Sequence, residues 1–124
     1  MKSFFVSGKC EAQGSMRAFN NRLVHNKSKE LNAWRNSVAQ AAKIAKVELS
    51  LQPISLTLTF TLAKPKSVKR ALPTVPPDLD KLIRAIGDAL TGIAWKDDSQ
   101  ITTICATKVY GDTPGVKISI LDIQ

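Results

Sequence analysis

Ile54-Ser55-Leu56-Thr57-Leu58-Thr59-Phe60-Thr61-Leu62 alternates apolar and polar side chains without a break. A period of two puts successive side chains on opposite faces of an extended chain, so this stretch reads as a strand with one apolar face and one threonine-rich face. Pro53 marks its start. An apolar face of this kind must be covered, and the flanking segments supply the cover. Upstream, Leu31, Trp34, Val38, Ala41, Ala42 and Ala45 recur at helical spacing and predict an amphipathic helix over about 28–46, with Ser28 as its N-cap. Downstream, Leu79, Leu82, Ile83, Ile86, Ala89 and Leu90 predict a second helix, stopped near Thr91-Gly92 by the glycine.

The rest of the chain completes a small layered fold. Residues 2–7 read as a first strand, and Gly8 to Asn26 as a loop or weak hairpin. Ala63 to Pro77 is a loop by composition, with Pro65, Pro73, Pro76 and Pro77 framing Lys64, Lys66, Lys69 and Arg70. Ile101–Tyr110 and Val116–Ile123 read as two strands joined by Gly111-Asp112-Thr113-Pro114-Gly115, a hairpin by its turn chemistry. The expected order is β-α-β-α-β-β. Neither helix can cover the sheet and its fellow helix at once unless both share a side, so the fold class is α+β, with two helices on a mixed sheet of about four strands. At 124 residues the chain suits one domain spanning 1–124.

Composition narrows the function. No apolar run reaches the roughly 20 residues of a membrane span, and Met1 to Lys9 reads as a strand and not as a signal peptide. The expected location is the cytoplasm, of a bacterial cell or of the host cell if the source is a phage. Cys10 and Cys105 stand far apart and read as reduced thiols. His25 is the sole histidine, which excludes histidine-rich zinc sites, His-based metal nuclease centres and zinc fingers. The net charge is +8 and unevenly spread. Residues 1–46 carry nine Lys or Arg against Glu11 and Glu30, whereas five of the ten acids lie between 78 and 98. A basic body around an acidic knot suits a metal-using nuclease, in which cations hold phosphates and carboxylates hold a divalent cation. The plain alternative is a basic protein with a solvated acidic helix end.

The acids sit in Pro77-Asp78-Leu79-Asp80-Lys81-Leu82-Ile83-Arg84, then Gly87-Asp88-Ala89-Leu90, then Trp95-Lys96-Asp97-Asp98-Ser99-Gln100-Ile101. Asp78 and Asp80 are two apart where Pro77 keeps the chain extended, so both carboxylates can point to one side. Twelve helical residues carry the chain roughly 18 Å away, and the residues from Thr91 to Asp97 can span roughly 23 Å if extended. Asp97 and Asp98 are therefore expected to return to the start of the helix and complete a site for one or two metal ions. Each acid also has a structural reading: Asp78 or Asp80 as a helix cap, Asp88 as a structural acid, Asp97-Asp98 as a turn. Trp34 and Trp95 are expected in the core.

The run D-L-D-x-L-x-(K/R)-x-x-x-D-A-L, a short aromatic-containing loop, then D-D-x-Q-(I/V), resembles the central signature of RusA-type Holliday junction resolvases. The match runs closely from Asp78 to Ile101, and the lengths around it fit across the whole chain. The resemblance implies a homodimeric endodeoxyribonuclease that resolves four-way DNA junctions by paired nicks, with Asp78, Asp80 and Asp98 binding Mg²⁺ (or Mn²⁺) and no small-molecule cofactor. Three positions depart from the family pattern: Arg84 replaces the usual lysine, Lys81 the frequent asparagine, and Pro77 a basic residue. Arg keeps the charge but does not donate its proton at neutral pH.

The expected mechanism places Asp78, Asp80 and Asp98 on the metal, with Asp97 supporting them. Arg84, with Lys81, stabilises the charge that builds on the phosphate. Arg17, Lys64, Lys66, Lys69, Arg70 and Lys81 hold the DNA backbone. The competing expectation is a catalytically inactive nucleic-acid-binding protein of the same fold, which binds DNA regardless of chelators. A viral structural protein whose acids are caps would neither cut nor prefer junctions. A ribonuclease H-like nuclease would scatter its acids over separate strands instead of around one helix.

Overall fold

A computed structural model describes residues 1–14 and 21–123, and of residues 21–28 the backbone alone. The elements follow the expected order: β1 (Lys2–Ser7), α1 (Asn21–Ile44), β2 (Ile54–Leu62), α2 (Leu79–Leu90), β3 (Ile101–Tyr110) and β4 (Gly115–Asp122). A single 3₁₀ turn, Asp98–Gln100, leads into β3. The α+β assignment holds.

The four strands form one mixed sheet in the order β1-β4-β2-β3. β2 is flanked on both sides, parallel to β3 and antiparallel to β4, and β1 closes the far edge antiparallel to β4. The alternation in β2 settles which face is covered. Ile54, Leu56, Leu58 and Phe60 are wholly buried, and Thr57 between them is exposed. Val116, Ile118 and Ile120 of β4 continue the same layer. Against it lie Trp34, Val38 and Ala42 of α1 and Leu82, Ala85, Ile86 and Leu90 of α2. Both helices share one side, as the apolar bookkeeping required. Trp95 is fully buried at the end of α2, where its indole N–H donates to Thr91 Oγ1 at 3.1 Å.

Two expectations are corrected. β3 and β4 do not pair as a hairpin, because β4 passes over to the far edge of β2 and inserts beside β1. Turn chemistry reports only that the chain reverses. Which strand it then meets depends on where an apolar face is buried, and Val116, Ile118 and Ile120 gain cover only in the middle of the sheet. The second correction concerns α1, which begins at Asn21 and not near Ser28. No glycine or proline stands between Gly14 and Pro53 to stop helix propagation, and Arg22, Lys27 and Lys29 are good helix formers. Ser28 is therefore internal.

α1 ends in a Schellman arrangement. Val47 N donates to Ala42 O and Lys46 N to Lys43 O, both at 3.0 Å, and Lys46 takes φ 61. That left-handed position is where glycine normally stands, because a Cβ there crowds the following carbonyl. Lys46→Gly is expected to stabilise the protein by about 0.5–1 kcal/mol, the relieved strain exceeding glycine's greater unfolded-state entropy. Thermal unfolding is the measurement, with a rise of a few degrees the expected outcome.

Candidate functional site

α2 is oriented by the connection it makes. It returns from the end of β2 to the start of β3, and because those strands are parallel, its N-terminus lies at their C-terminal ends and its C-terminus at their beginnings. Each end of α2 carries one pair of carboxylates.

At the N-terminal end, Asp78 occupies the N-cap position with extended dihedrals (φ −72, ψ 139), and its carbonyl accepts the first helical bond from Leu82 N at 3.1 Å. Its side chain makes no capping hydrogen bond. An aspartate at this position ordinarily bonds a free N–H of the first turn; here the carboxylate is exposed and its described partner is Lys81, whose Nζ lies 3.8 Å from Oδ2. Asp80, also exposed, stands in the first turn at the positive end of the helix dipole. Arg84 follows one turn later on the same side of the helix and is exposed. The structure thus removes the capping explanation for Asp78.

Beside this helix start opens a cleft of about 1140 Å³, between the segment after β1 and the proline-rich loop 63–77. Asp78, Lys81, Arg70, Tyr110, Lys9 and Glu11 are among its lining residues. Arg70 Nε donates to Tyr110 Oη at 3.1 Å, and the Tyr110 ring lies 6.0 Å from the Arg70 guanidinium and 5.9 Å from Lys64 Nζ. Lys108 Nζ donates to Pro77 O at 2.9 Å and to Val75 O at 3.0 Å. Cys10 lines the same cleft, buried, with its thiol donating to Gly115 O at 3.2 Å. Burial in an apolar setting, with Glu11 adding repulsion, pushes its pKa from 9.0 up to about 12.

At the other end of α2, Asp97 and Asp98 behave differently from each other. Asp97 caps the 3₁₀ turn, its Oδ1 accepting from Ser99 N at 2.9 Å. Hydrogen bonds from the Ser99 backbone N–H and from its hydroxyl hold its carboxyl below the usual carboxylate range. Gln100 ties this turn down. Its Oε1 accepts from Lys96 N at 2.9 Å and Asp97 N at 3.0 Å, and its Nε2 donates to Ser50 O at 2.9 Å and Gln52 O at 3.0 Å. Asp98 is exposed and is the carboxylate of this pair that the capping box leaves for other contacts.

The two pairs do not converge within one chain, contrary to the sequence-based expectation. Asp98 leads directly into Ile101, whereas Asp78 is tied through Pro77 to Lys108, seven residues further along β3 and so roughly 23 Å away. Among the described residues no three acidic, histidine or cysteine side chains meet as a metal cage. The loop from Thr91 to Asp97 is long enough to return, but it spends its length otherwise: Gly92 N bonds Trp95 O at 2.7 Å, and Trp95 is drawn into the core. Asp88 is structural, as anticipated, joining α2 to α1 through Arg35 at 3.4 Å. Lys69 and Arg70 are exposed on the loop 63–77. Arg17 lies outside the described residues.

Sequence reasoning missed Lys108 and Tyr110. The available signal was spacing: they share one face of β3 with Ile104 and Ala106, on the same side of the sheet as the buried residues of β2, where a lysine needs a partner.

The family model for endodeoxyribonuclease RusA matches residues 9–121. This chain belongs to the RusA endodeoxyribonuclease family. The match contains both acidic pairs, Arg84 and the Arg70–Tyr110 contact. The chain is also similar to "Uncharacterized protein YqaN" of Bacillus subtilis (strain 168), at 28% identity over 136 aligned residues that cover 98% of this chain and 96% of that protein. No helix among the described residues is long and apolar enough to cross a membrane.

Three expected outcomes test this local structure. Gln100→Ala, which removes four hydrogen bonds, is expected to cost about 2 kcal/mol, read as a lowered denaturant midpoint at unchanged slope. In the native protein at pH 8.5, iodoacetamide should label the exposed Cys105 and leave Cys10 untouched until denaturation. The raised Cys10 pKa also sets a sign. Below pH 9 the thiol is neutral in both states, while between 9 and about 12 only the unfolded chain ionises, so stability should fall across that window.

Proposed function

We propose that this RusA-family nuclease is a divalent-metal-dependent, structure-specific endonuclease that nicks branched DNA, with four-way junctions as its substrate. The observation that carries the reading is Asp78: a carboxylate at a helix N-cap that does not cap, exposed at the mouth of a cleft bordered by Arg70, Lys81 and Lys9. Side chains that leave an available local bond unmade, beside cations suited to phosphate, belong to a binding site more readily than to a fold.

The donor chemistry fits a hard cation. Both acidic pairs offer carboxylate oxygen only, and Mg²⁺ is ordinarily held by one or two carboxylates together with waters and substrate phosphate, with Mn²⁺ its usual substitute. Asp78 and Asp80 would hold the cation at the start of α2, where it would supply Lewis-acid chemistry for the phosphate and a lowered pKa for the attacking water. Arg84, one turn along the same helix face, neutralises charge on the phosphate in flight, and Lys81 assists beside Asp78. Lys69 and Arg70, with Arg17, hold the sugar–phosphate backbone without reading bases.

The separation of the pairs supports reading the protein as a homodimer. One chain offers Asp78 and Asp80 at one end of α2, and Asp97 and Asp98 at the other. A two-fold axis that set one end against the other would bring Asp98 of a second copy toward Asp78 and Asp80, an arrangement suited to two equivalent sites and paired nicks. Asp97 then supports Asp98 by fixing the turn that carries it.

The test is cleavage of a synthetic four-way junction and a matched linear duplex, with Mg²⁺ or with EDTA, by the wild type and Asp80→Asn. Symmetrical cuts in the junction alone, dependent on Mg²⁺ and reduced at least about 100-fold by the substitution, are expected. Tight junction binding with no cutting, indifferent to metal and to the substitution, overturns the enzymatic reading and leaves a DNA-binding protein.

A further inference from the structure

We propose that Lys108 is a positioning residue for the Asp78 carboxylate: its ammonium clamps the carbonyls of Val75 and Pro77 and so fixes the direction in which Asp78 leaves the loop. This inference rests on the proposed nuclease reading of Asp78 and adds a residue to it that lies outside the acidic motif.

The argument begins with what the loop 63–77 lacks. Pro65, Pro73, Pro76 and Pro77 have no N–H, so the loop is poor in backbone donors and cannot join the free edge of β3 as a further strand. Its carbonyls remain, and they need donors from elsewhere. Its own backbone bonds among the described residues, Val68 N to Pro65 O and Thr74 N to Leu72 O, both 3.0 Å, are internal to the loop. Among the described residues its hydrogen bonds to the sheet come from two side chains on one face of β3, two residues apart: Tyr110, which accepts from Arg70, and Lys108.

Lys108 is the tie nearest the carboxylate. It lies opposite Phe60 in the β2–β3 register, on the face that is core in β2, and is half-buried there. An ammonium in that position is costly unless bonded, and it is bonded twice, at 2.9 and 3.0 Å, to residues 31 and 33 positions away in sequence. The carbonyl of Pro77 belongs to the peptide plane that contains Asp78 N. Holding that oxygen fixes the plane and the place of the Asp78 Cα, and with the Asp78 carbonyl held by Leu82 N at 3.1 Å the Cα–Cβ direction is set as well. The carboxylate itself has no capping bond that would orient it. A charge-assisted bond from a strand is stiffer than any contact the loop makes internally, so the rigid sheet sets the site through Lys108.

The experiment uses the full chain with Lys108→Met, which keeps the aliphatic stem, and Lys108→Arg, whose fork can reach two carbonyls. Hydrogen–deuterium exchange over residues 72–80 is measured alongside kcat and KM for Mg²⁺-dependent junction nicking and alongside Tm. Lys108→Met is expected to raise exchange at Thr74, Val75 and Asp78 and to lower kcat about 10- to 100-fold. KM for DNA should change less than twofold, and Lys108→Arg should recover at least a third of kcat. Should Lys108→Met not fold, Lys108→Gln, which can reach only one of the carbonyls, takes its place. Unchanged kcat, or a loss that appears only in KM, overturns the inference, as does a loss that Lys108→Arg leaves unrescued. If the wild type cuts nothing, the nuclease reading falls by itself. The clamp is then decided by exchange alone: faster exchange in the Met variant with protection restored by Arg supports it, and unchanged exchange overturns it.

Discussion

Strand β2 has both of its edges occupied and one of its faces fully buried, and the positions of both helices and of the acidic pairs follow from that arrangement. Because β3 lies parallel to β2, the chain between them must cross from one end of the sheet to the other, and α2 is that crossing. Because Ile54, Leu56, Leu58 and Phe60 point one way, α2 lies on that side with Leu82, Ile86 and Leu90 against them. A helix so placed has one end beside the proline-rich loop and the other beside the start of β3. The carboxylates at its two ends are held apart by the length of the helix itself.

That separation gives the acidic motif a division of labour. Asp97, Gln100 and Trp95 serve the fold: one caps a turn, one laces it to residues 50 and 52, one fills the core beneath it. Asp78, Asp80 and Asp98 do none of this, and their exposure costs nothing in packing. The basic residues divide in the same way. Arg35 joins the helices through Asp88, Lys108 supports the loop, and Arg70 is held by Tyr110 at the rim of the cleft. A motif that reads as one string therefore mixes residues that shape the protein with residues that its shape presents.

Much of the candidate site was legible beforehand because its residues are close in sequence. The alternation of 54–62 and the helical stripe of 79–90 placed β2 and α2 to within a residue, since both report burial of one face. The acidic run was visible as an excess of charge against a basic chain. Besides the separation of the two acidic pairs, three things escaped. The start of α1 was misjudged because Asn21 and Asn26 read as loop chemistry, although no glycine or proline stands there to stop the helix. The pairing of β4 was misjudged because a Gly-Asp-Thr-Pro-Gly turn indicates reversal and leaves the neighbour open. Lys108 was passed over because a lysine in an edge strand looks like solvent-facing protection, and its carbonyl partners are more than thirty residues away.

By itself the sequence determined the class of the fold, the order of its elements, the chemical character of the site and the family motif, all of which depend on periodicity, charge and spacing within about two dozen residues. The tertiary structure decided which carboxylates are engaged, that the two pairs stand at opposite ends of one helix, and which strand each edge of β2 receives. Those outcomes depend on where Trp95 and the face of β4 find cover, and burial is a property of the whole chain that no local stretch of it contains.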